Sequence, residues 1–270
     1  MTLGKRWTRD ELIIAMNLYC KLPFGQLDRR TPIIIEVAQK LGRTPSSLSM
    51  KLCNLASFDP VLQARGIQGL RGASNADRGI WQEFYTNWEE LGVKSEELLQ
   101  ELFDKVIPEE YQLPRQPKSQ NVREIKITKT QPTGEIEVEA SVKARIGQSF
   151  FRQTILANYN SRCCITGNPI PQLLIASHIL PWGDYPEHRL DPHNGLCLAR
   201  TQDAAFDGGM ITFDEDYRLV LSSYLESFLP EDVLEHNFVA YHGKQMRLPE
   251  KFQPNPNFLR RHREEIFLDN

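Results

Sequence analysis

The stretch from Leu173 to Asp207, LLIASHILPWGDYPEHRLDPHNGLCLARTQDAAFD, decides the fold of the second half of this 270-residue chain. His178 ends an apolar run with the length and composition of a buried strand, and Asn194 precedes a second short apolar run. A helix is then predicted from Thr201. The pattern predicts strand, loop, strand and helix, with polar side chains at each junction.

The polar side chains at these junctions are the kinds that phosphodiester hydrolysis requires. The uncatalysed reaction is among the slowest known, and a general base alone contributes only about 10²- to 10⁴-fold. A histidine must therefore act beside oxygen ligands that hold a divalent cation on the phosphate, with positive side chains near the flanking phosphates. His178 is the candidate base, and the other candidates in this stretch are Asn194, Asp203, Asp207 and Arg189.

The order of these elements resembles that of the His-Asn-His (HNH) endonucleases of the ββα-metal superfamily. The resemblance rests on Ala176-Ser177-His178-Ile179, Asn194-Gly195-Leu196-Cys197-Leu198, Asp203 and Phe206-Asp207-x-Gly209, and it extends from about Arg145 to Phe267. It implies a metal-dependent DNA endonuclease in which His178 is the general base. Asn194 would either stabilise the loop between the strands or assist at the metal, and Arg189 would contact DNA.

The resemblance also implies a cation site, with two departures from the commonest pattern. The third member of the motif is His in the namesake and Asp203 here, and a carboxylate favours Mg²⁺ or Mn²⁺ over Zn²⁺. Many relatives place Asp or His immediately before the base, where this chain has Ser177. The candidate metal ligands are Asp203, Asp207, Asn194 and Ser177, although Asp207 could instead bond backbone near Gly208. The cysteine spacing argues against a structural zinc.

The first hundred residues predict a helical domain. Thr8 and Glu11 form a capping box in front of the first helix, and Thr31-Pro32 and Thr44-Pro45 start two more helices, with Gly42 between them. The second and third helices resemble a helix-turn-helix or Myb-like unit, whose second helix enters a DNA major groove. The predicted DNA-contacting residues are Arg43, Ser46, Ser47, Met50, Lys51 and Asn54. The alternative is a three-helix packing unit that does not contact DNA.

Two further segments connect this domain to the strand-loop-strand region. Aromatic residues recur at helical spacing at positions 81, 84, 85 and 88, which is more typical of a core face than of base stacking, and another helix is predicted from Ser95 to Phe103. Residues 105–143 are rich in proline and polar side chains and form a predicted linker. Alternation at Val122–Ile127 and Ile136–Val138 favours a small β-hairpin inside it, and Ala144–Tyr159 is predicted as a helix.

Length and composition favour a globular protein of two domains. We predict an α+β chain with a helical domain at 1–104, the linker, and a nuclease domain at 144–270. No apolar run approaches the roughly 20 residues of a membrane span, so a cytoplasmic protein with no membrane contact is expected. The net charge is −3, but residues 1–60 carry nine Lys or Arg against five Asp or Glu, which favours a nucleic-acid partner for this region.

Two functional hypotheses follow from these features. The first is a metal-dependent endonuclease of double-stranded DNA, acting as a homodimer in restriction or phage defence, with dependence on base modification left open. The second is a catalytically inactive HNH-fold protein that binds DNA or a partner, which the serine before the base supports. Cleavage assays with several metals and with modified and unmodified DNA separate the two hypotheses.

Overall fold

The computed structural model describes residues 6–67, 73–103 and 135–269, and within them the chain is α+β. A helix-rich N-terminal part is followed by a C-terminal part with two small antiparallel sheets. None of the described helices is long and apolar enough to cross a membrane. The helices of the N-terminal part are α1 (Arg9–Lys21), α2 (Pro32–Lys40), α3 (Pro45–Ala56), α4 (Pro60–Ala64), α5 (Asn75–Thr86) and α6 (Trp88–Leu102).

The first helix, α1, lies at the centre of the N-terminal part. The predicted capping box is confirmed: Thr8 Oγ1 accepts from the Glu11 N–H at 3.2 Å, and Glu11 Oε2 accepts from the Thr8 N–H at 2.8 Å. Every residue from 11 to 20 is buried, because α3, α5 and α6 all pack around this helix. Burial on all sides explains why its sequence lacks a polar face.

The predicted second and third helices are also confirmed. Gly42 lies in the turn between α2 and α3 and has a φ of 64°, a value that glycine adopts without strain. Thr44 then caps α3 by accepting from the Ser47 N–H at 3.2 Å. Leu48, Leu52 and Leu55, which recur at helical spacing along α3, are buried.

The aromatic residues of the next segment form core, as predicted, but they do not lie on one helix. Trp81, Phe84 and Trp88 are buried, while Tyr85 is partly exposed. Asn87, with φ −150° and ψ 67°, interrupts the helix between them. Its side chain accepts from the Glu90 N–H at 3.2 Å, so an N-cap signal separates α5 from α6. The helix predicted from Ser95 therefore begins at Trp88.

The predicted linker hairpin is wrong in its second strand. Residues 136–138 lie in a long helix, α7 (Glu135–Asn158), which extends the predicted helix toward the N-terminus. The first predicted strand, Val122–Ile127, lies outside the described residues. The helix α7 packs against both α1 and α6, so the C-terminal part begins in direct contact with the N-terminal part.

The C-terminal part contains the predicted strand, loop, strand and helix. The strands β1 (Leu174–His178) and β2 (Gly195–Ala199) pair antiparallel, and both contact α7 and α8 (Arg200–Asp207). A second hairpin is formed by β3 (Ile211–Phe213) and β4 (Leu219–Leu221). The remaining helices are α9 (Ser223–Glu226), α10 (Asp232–Asn237) and α11 (Pro256–Glu265).

A buried lysine joins the two parts. Lys251 follows the β3–β4 region in the chain and is fully buried. Its Nζ donates to the backbone carbonyls of Tyr19 and Leu22 at the C-terminus of α1, the second at 2.7 Å. Burial lowers the pKa of Lys251 to about 8. Carbonyl oxygens at a helix C-terminus stabilise a positive charge there, because they carry the negative end of the helix dipole.

Candidate active site

The candidate active site lies at the end of the β1–β2 hairpin. His178 is the last residue of β1 and pairs in register with Gly195, the first residue of β2. Successive side chains of a strand point to opposite faces. Ser177 therefore faces α8, where it interacts with Asp203, whereas His178 faces α7, where its ring stacks on Phe151.

The His178 ring is held by three neighbours. Its Nε2 lies 2.9 Å from the backbone carbonyl of Arg189, an acceptor, so Nε2 carries the proton. The ring stacks on Phe151 with centroids 4.0 Å apart and meets Trp182 edge-on at 5.4 Å. The opposite nitrogen, Nδ1, has no hydrogen-bond partner among the described residues. In the neutral ring this nitrogen is the proton acceptor.

Burial lowers the pKa of His178, and the hydrogen bond to the Arg189 carbonyl only partly offsets this effect. A neutral imidazole at pH 7 is the form that can take a proton from water. The ring position, the free nitrogen and the direction of the pKa shift therefore all suit a general base.

Asn194 holds the loop that connects the two strands. Its Oδ1 accepts from the Leu180 N–H at 2.8 Å, and its Nδ2 donates to the carbonyls of Leu180 and His188 at 3.2 and 3.1 Å. The residue is 1% exposed. Of the two roles open from the sequence, this geometry favours loop stabilisation. It does not support Asn194 as a metal ligand, because its oxygen is already bound to backbone.

Two carboxylates and a hydroxyl form a second cluster on the α8 side. This cluster lies on the face of β1 opposite to the His178 ring, so the structure does not bring the candidate base and the candidate metal ligands together on one face of the strand. Burial raises the pKa of Asp203, and the nearby Ser177 hydroxyl partly offsets this rise. Burial and the neighbouring Asp203 carboxylate raise the pKa of Asp207 to about 6. Ser177 is buried, and its Oγ makes no hydrogen bond of ordinary geometry with the described residues.

This cluster fits a hard divalent cation that is only partly coordinated by protein. No group of three or more His, Cys, Asp and Glu side chains able to hold a metal occurs within residues 6–67, 73–103 and 135–269. Mg²⁺ commonly uses one or two carboxylates, with water and substrate phosphate completing its shell. Asp203 and Asp207 supply that number, and the unpartnered hydroxyl of Ser177 is an additional oxygen beside them.

The backbone carbonyl of Arg189 lies beside His178, and the contact of its side chain with DNA stays a prediction. Its Nε donates to the Trp182 carbonyl at 2.8 Å, and its guanidinium lies 5.1 Å from the centroid of the Trp182 ring. The terminal amino groups form no ion pair or hydrogen bond with the described part of the chain. They remain available for a phosphate.

The predicted DNA-contacting face of α3 is partly occupied. Arg43 forms a buried ion pair with Glu11 at 2.7 Å, and Lys51 pairs with Asp77 at 2.7 Å. Asn54 donates to the other oxygen of Asp77 at 3.2 Å. The structure thus gives these three side chains structural partners in α1 and α5, and their contact with DNA stays a prediction.

The rest of that face keeps its predicted character. Met50 is 54% exposed, and Ser46 and Ser47 are partly exposed. A role of these three residues in DNA contact stays a prediction.

Sequence reasoning missed the residues that orient His178. Phe151 lies 27 positions before His178 in the chain, and Arg189 contacts the ring only through its backbone carbonyl. Neither contact leaves a motif in the sequence. Trp182 had a weak signal, since it follows the candidate base by four residues within the same loop. Another histidine, His262, is structural. Its Nε2 donates to the Phe206 carbonyl at 3.1 Å, so Nδ1 of the neutral ring accepts from Thr212 Oγ1 at 2.9 Å.

Comparison with known families agrees with this geometry. A family model described as HNH endonuclease matches residues 163–214, which include β1, the loop, β2, α8 and β3. No curated protein matches the chain. The matched segment contains His178, Asn194, Asp203 and Asp207. Residues 163–214 therefore form a domain of the HNH endonuclease family.

Proposed function

We propose that this protein is a metal-dependent endonuclease that hydrolyses phosphodiester bonds of double-stranded DNA. The observation that carries the proposal is the state of His178: Nε2 is bound to a carbonyl, and Nδ1 is unpartnered within the described residues. An imidazole fixed in this way can accept a proton from an attacking water. The hydrogen bond and the Phe151 stack keep the ring from turning away.

The α8 cluster supports the metal dependence. Asp203 and Asp207 would hold Mg²⁺ or Mn²⁺, with Ser177 beside them. The cation would supply a Lewis acid for the charge that develops on the phosphate oxygens. Arg189, whose amino groups point to no described partner, would bind a flanking phosphate.

The biological role that we propose is restriction or phage defence, with the helical part holding DNA beside the nuclease site. Close packing of α7 on α1 and α6 supports a fixed relation between the two parts. The proposed helical domain ends at residue 104, as predicted from the sequence. The proposed nuclease domain begins with α7 at Glu135, earlier than the start at residue 144 that the sequence predicted, because residue 144 lies inside this helix. A homodimer in the cytoplasm is the proposed assembly, because each chain has one active site and double-stranded DNA has two strands to cut.

The direct test is cleavage of supercoiled plasmid in Mg²⁺, in Mn²⁺ and in EDTA, with unmodified and base-modified DNA. We expect nicked and linear products with at least one cation and none in EDTA. We expect Asp203→Asn to slow cleavage strongly. Binding of DNA without cleavage under every condition contradicts the proposal and favours the second candidate, an inactive HNH-fold binding protein. The absence of an acidic residue or histidine at position 177 is the observation that favours this alternative.

A further inference from the structure

A groove on the N-terminal part combines aromatic and polar side chains. It has a volume of about 310 Å³ and lies between α5 and the chain around α4. Its lining residues are Phe58, Gln63, Arg78, Trp81, Gln82 and Tyr85. Four of them belong to one face of α5, at spacings of three and four residues.

The floor of the groove is a set of rings that the core holds in place. Trp81 lies 5.1 Å from Tyr85 and 6.1 Å from Phe58, measured between ring centroids. Behind Trp81, the Phe252 ring of the C-terminal part stacks at 6.2 Å with an interplanar angle of 14°. Because Trp81 is only 7% exposed, the floor is rigid, and the Tyr85 and Phe58 rings provide most of its accessible surface.

The rim of the groove carries polar side chains that have hydrogen-bond donors or acceptors without a partner among the described residues. The Arg78 guanidinium lies 5.0 Å from the Phe58 centroid and forms no ion pair with the described residues. The Gln82 amide also has no side-chain hydrogen bond within the described chain. Gln63 uses its Nε2 to bond the Ser57 carbonyl at 2.7 Å, which leaves its oxygen as an acceptor.

We propose that this groove binds one unstacked nucleobase of DNA, an inference that rests on the proposed nuclease function. A nucleobase is a planar ring with a hydrogen-bonding edge and an adjacent phosphate. The aromatic floor matches the ring, the Gln82 and Gln63 amides match the edge, and the unpaired Arg78 matches the phosphate. No purely apolar ligand would use the guanidinium and the two amides.

The groove is also connected to the loop of the active site. Tyr85 Oη lies 3.2 Å from His193 Nε2, and His193 Nδ1 lies 2.7 Å from Asp191 Oδ1. His193 immediately precedes Asn194, which holds the loop beside His178. A base bound against Tyr85 therefore contacts a side chain that is hydrogen-bonded to this loop.

The test uses the full chain in EDTA and a DNA oligonucleotide that carries one photoreactive 5-iodouracil, either single-stranded or opposite a mismatch in a duplex. We expect crosslinks to residues 58–63 or 75–86 after irradiation and protein mapping. Arg78→Ala combined with Gln82→Ala should lower the crosslink yield and weaken binding about 10-fold, since a hydrogen bond to a charged group contributes roughly this factor or more. Both residues are exposed, so the variant is expected to fold.

Lys94→Ala is the control, because it removes a positive charge from the exposed surface of α6 outside the groove. Crosslinks confined to other segments, or a double variant that binds like Lys94→Ala, overturn the groove proposal. Unchanged plasmid cleavage by the parent in that case leaves the nuclease proposal intact. Conversely, crosslinks to the groove by a parent that cuts no DNA support the groove and contradict the nuclease.

Discussion

At the scale of single residues, the contacts of each histidine separate a chemical role from a structural one. His178 uses one ring nitrogen and leaves the other unpartnered within the described residues. His262 uses both nitrogens, stacks on Phe206 at 3.8 Å and is 1% exposed. The second arrangement joins α11 to α8 and β3 and leaves no atom for catalysis.

We predict that His262 makes the protein less stable in acid. Burial lowers the pKa of His262 to about 4, whereas an unfolded histidine titrates near 6.5. The unfolded state therefore binds more protons between these values, and the free energy of unfolding should fall by about 3 kcal/mol as the pH is lowered from about 6.5 to 4. Urea unfolding at a series of pH values measures this loss.

The control for this prediction is His262→Gln, which keeps a polar side chain but does not titrate. Its unfolding free energy should be lower at neutral pH and should depend less on pH across the same range. An identical pH dependence in the parent and in the variant contradicts the assignment of the acid sensitivity to His262.

The sequence predicts the role of a residue when that role depends on residues close to it along the chain. His178 at a strand end and the cap at Thr8 could be predicted because the signals are local. The roles of Arg43 and Lys51 could not, because their partners Glu11 and Asp77 approach only when helices pack. A basic side chain in a recognition-like position looks the same in sequence whether it meets phosphate or carboxylate.

At the scale of elements, the β1–β2 hairpin is held between α7 and α8, and the contact with α7 is close. The Cβ of an alanine at Gly195 would meet the Ile155 side chain and would lie 2.9 Å from Phe151 Cζ. Phe151 is also the ring on which His178 stacks. The absence of a side chain at Gly195 therefore lets α7 position the candidate base.

Gly195→Ala should accordingly disturb both stability and cleavage. Overpacking of this kind costs about 1–3 kcal/mol, and displacement of Phe151 removes the stacking partner of His178. We expect a lower melting temperature and a slower cleavage rate. Gly183→Ala is the matched control, because a Cβ there meets nothing within 4 Å and its φ is not positive. Equal behaviour of the two variants contradicts the close packing inferred at Gly195.

Most elements could be predicted from periodicity and capping, and the errors have physical causes. Trp81 and Trp88 continue one apolar pattern in the sequence, which predicts a single helix. Asn87 between them caps a new helix instead, because its backbone adopts a non-helical conformation that the sequence pattern does not indicate. Residues 136–138 alternate as a strand would, yet they extend α7. A short alternating run does not specify a strand without a partner to pair with.

At the scale of the whole molecule, the N-terminal part and the C-terminal part share one apolar core. The buried helix α1 contacts α7, and Phe252 packs among Tyr19, Trp81 and Trp88. Lys251 adds a polar connection from the C-terminal part to the last carbonyls of α1. This continuity could not be read from the sequence, because the contacting residues lie about half a chain or more apart.

Lys251→Met should destabilise the protein. The substitution keeps an apolar side chain of similar length but leaves the buried carbonyls of Tyr19 and Leu22 without their donor, a loss of about 2–4 kcal/mol. Chemical denaturation followed by tryptophan fluorescence measures it. Lys244→Met is the control at an exposed position and should be near neutral. A similar stability of both variants contradicts a structural role for the Lys251 ammonium group.

The central claim is that His178 is the general base of a nuclease, and the rate of plasmid cleavage by His178→Ala tests it most directly. The control is His242→Ala, at an exposed position outside the hairpin. We predict that His178→Ala cuts at least about 10²-fold more slowly than the parent in the best divalent cation, while His242→Ala cuts at the parental rate. Cleavage by His178→Ala at the parental rate would contradict the account.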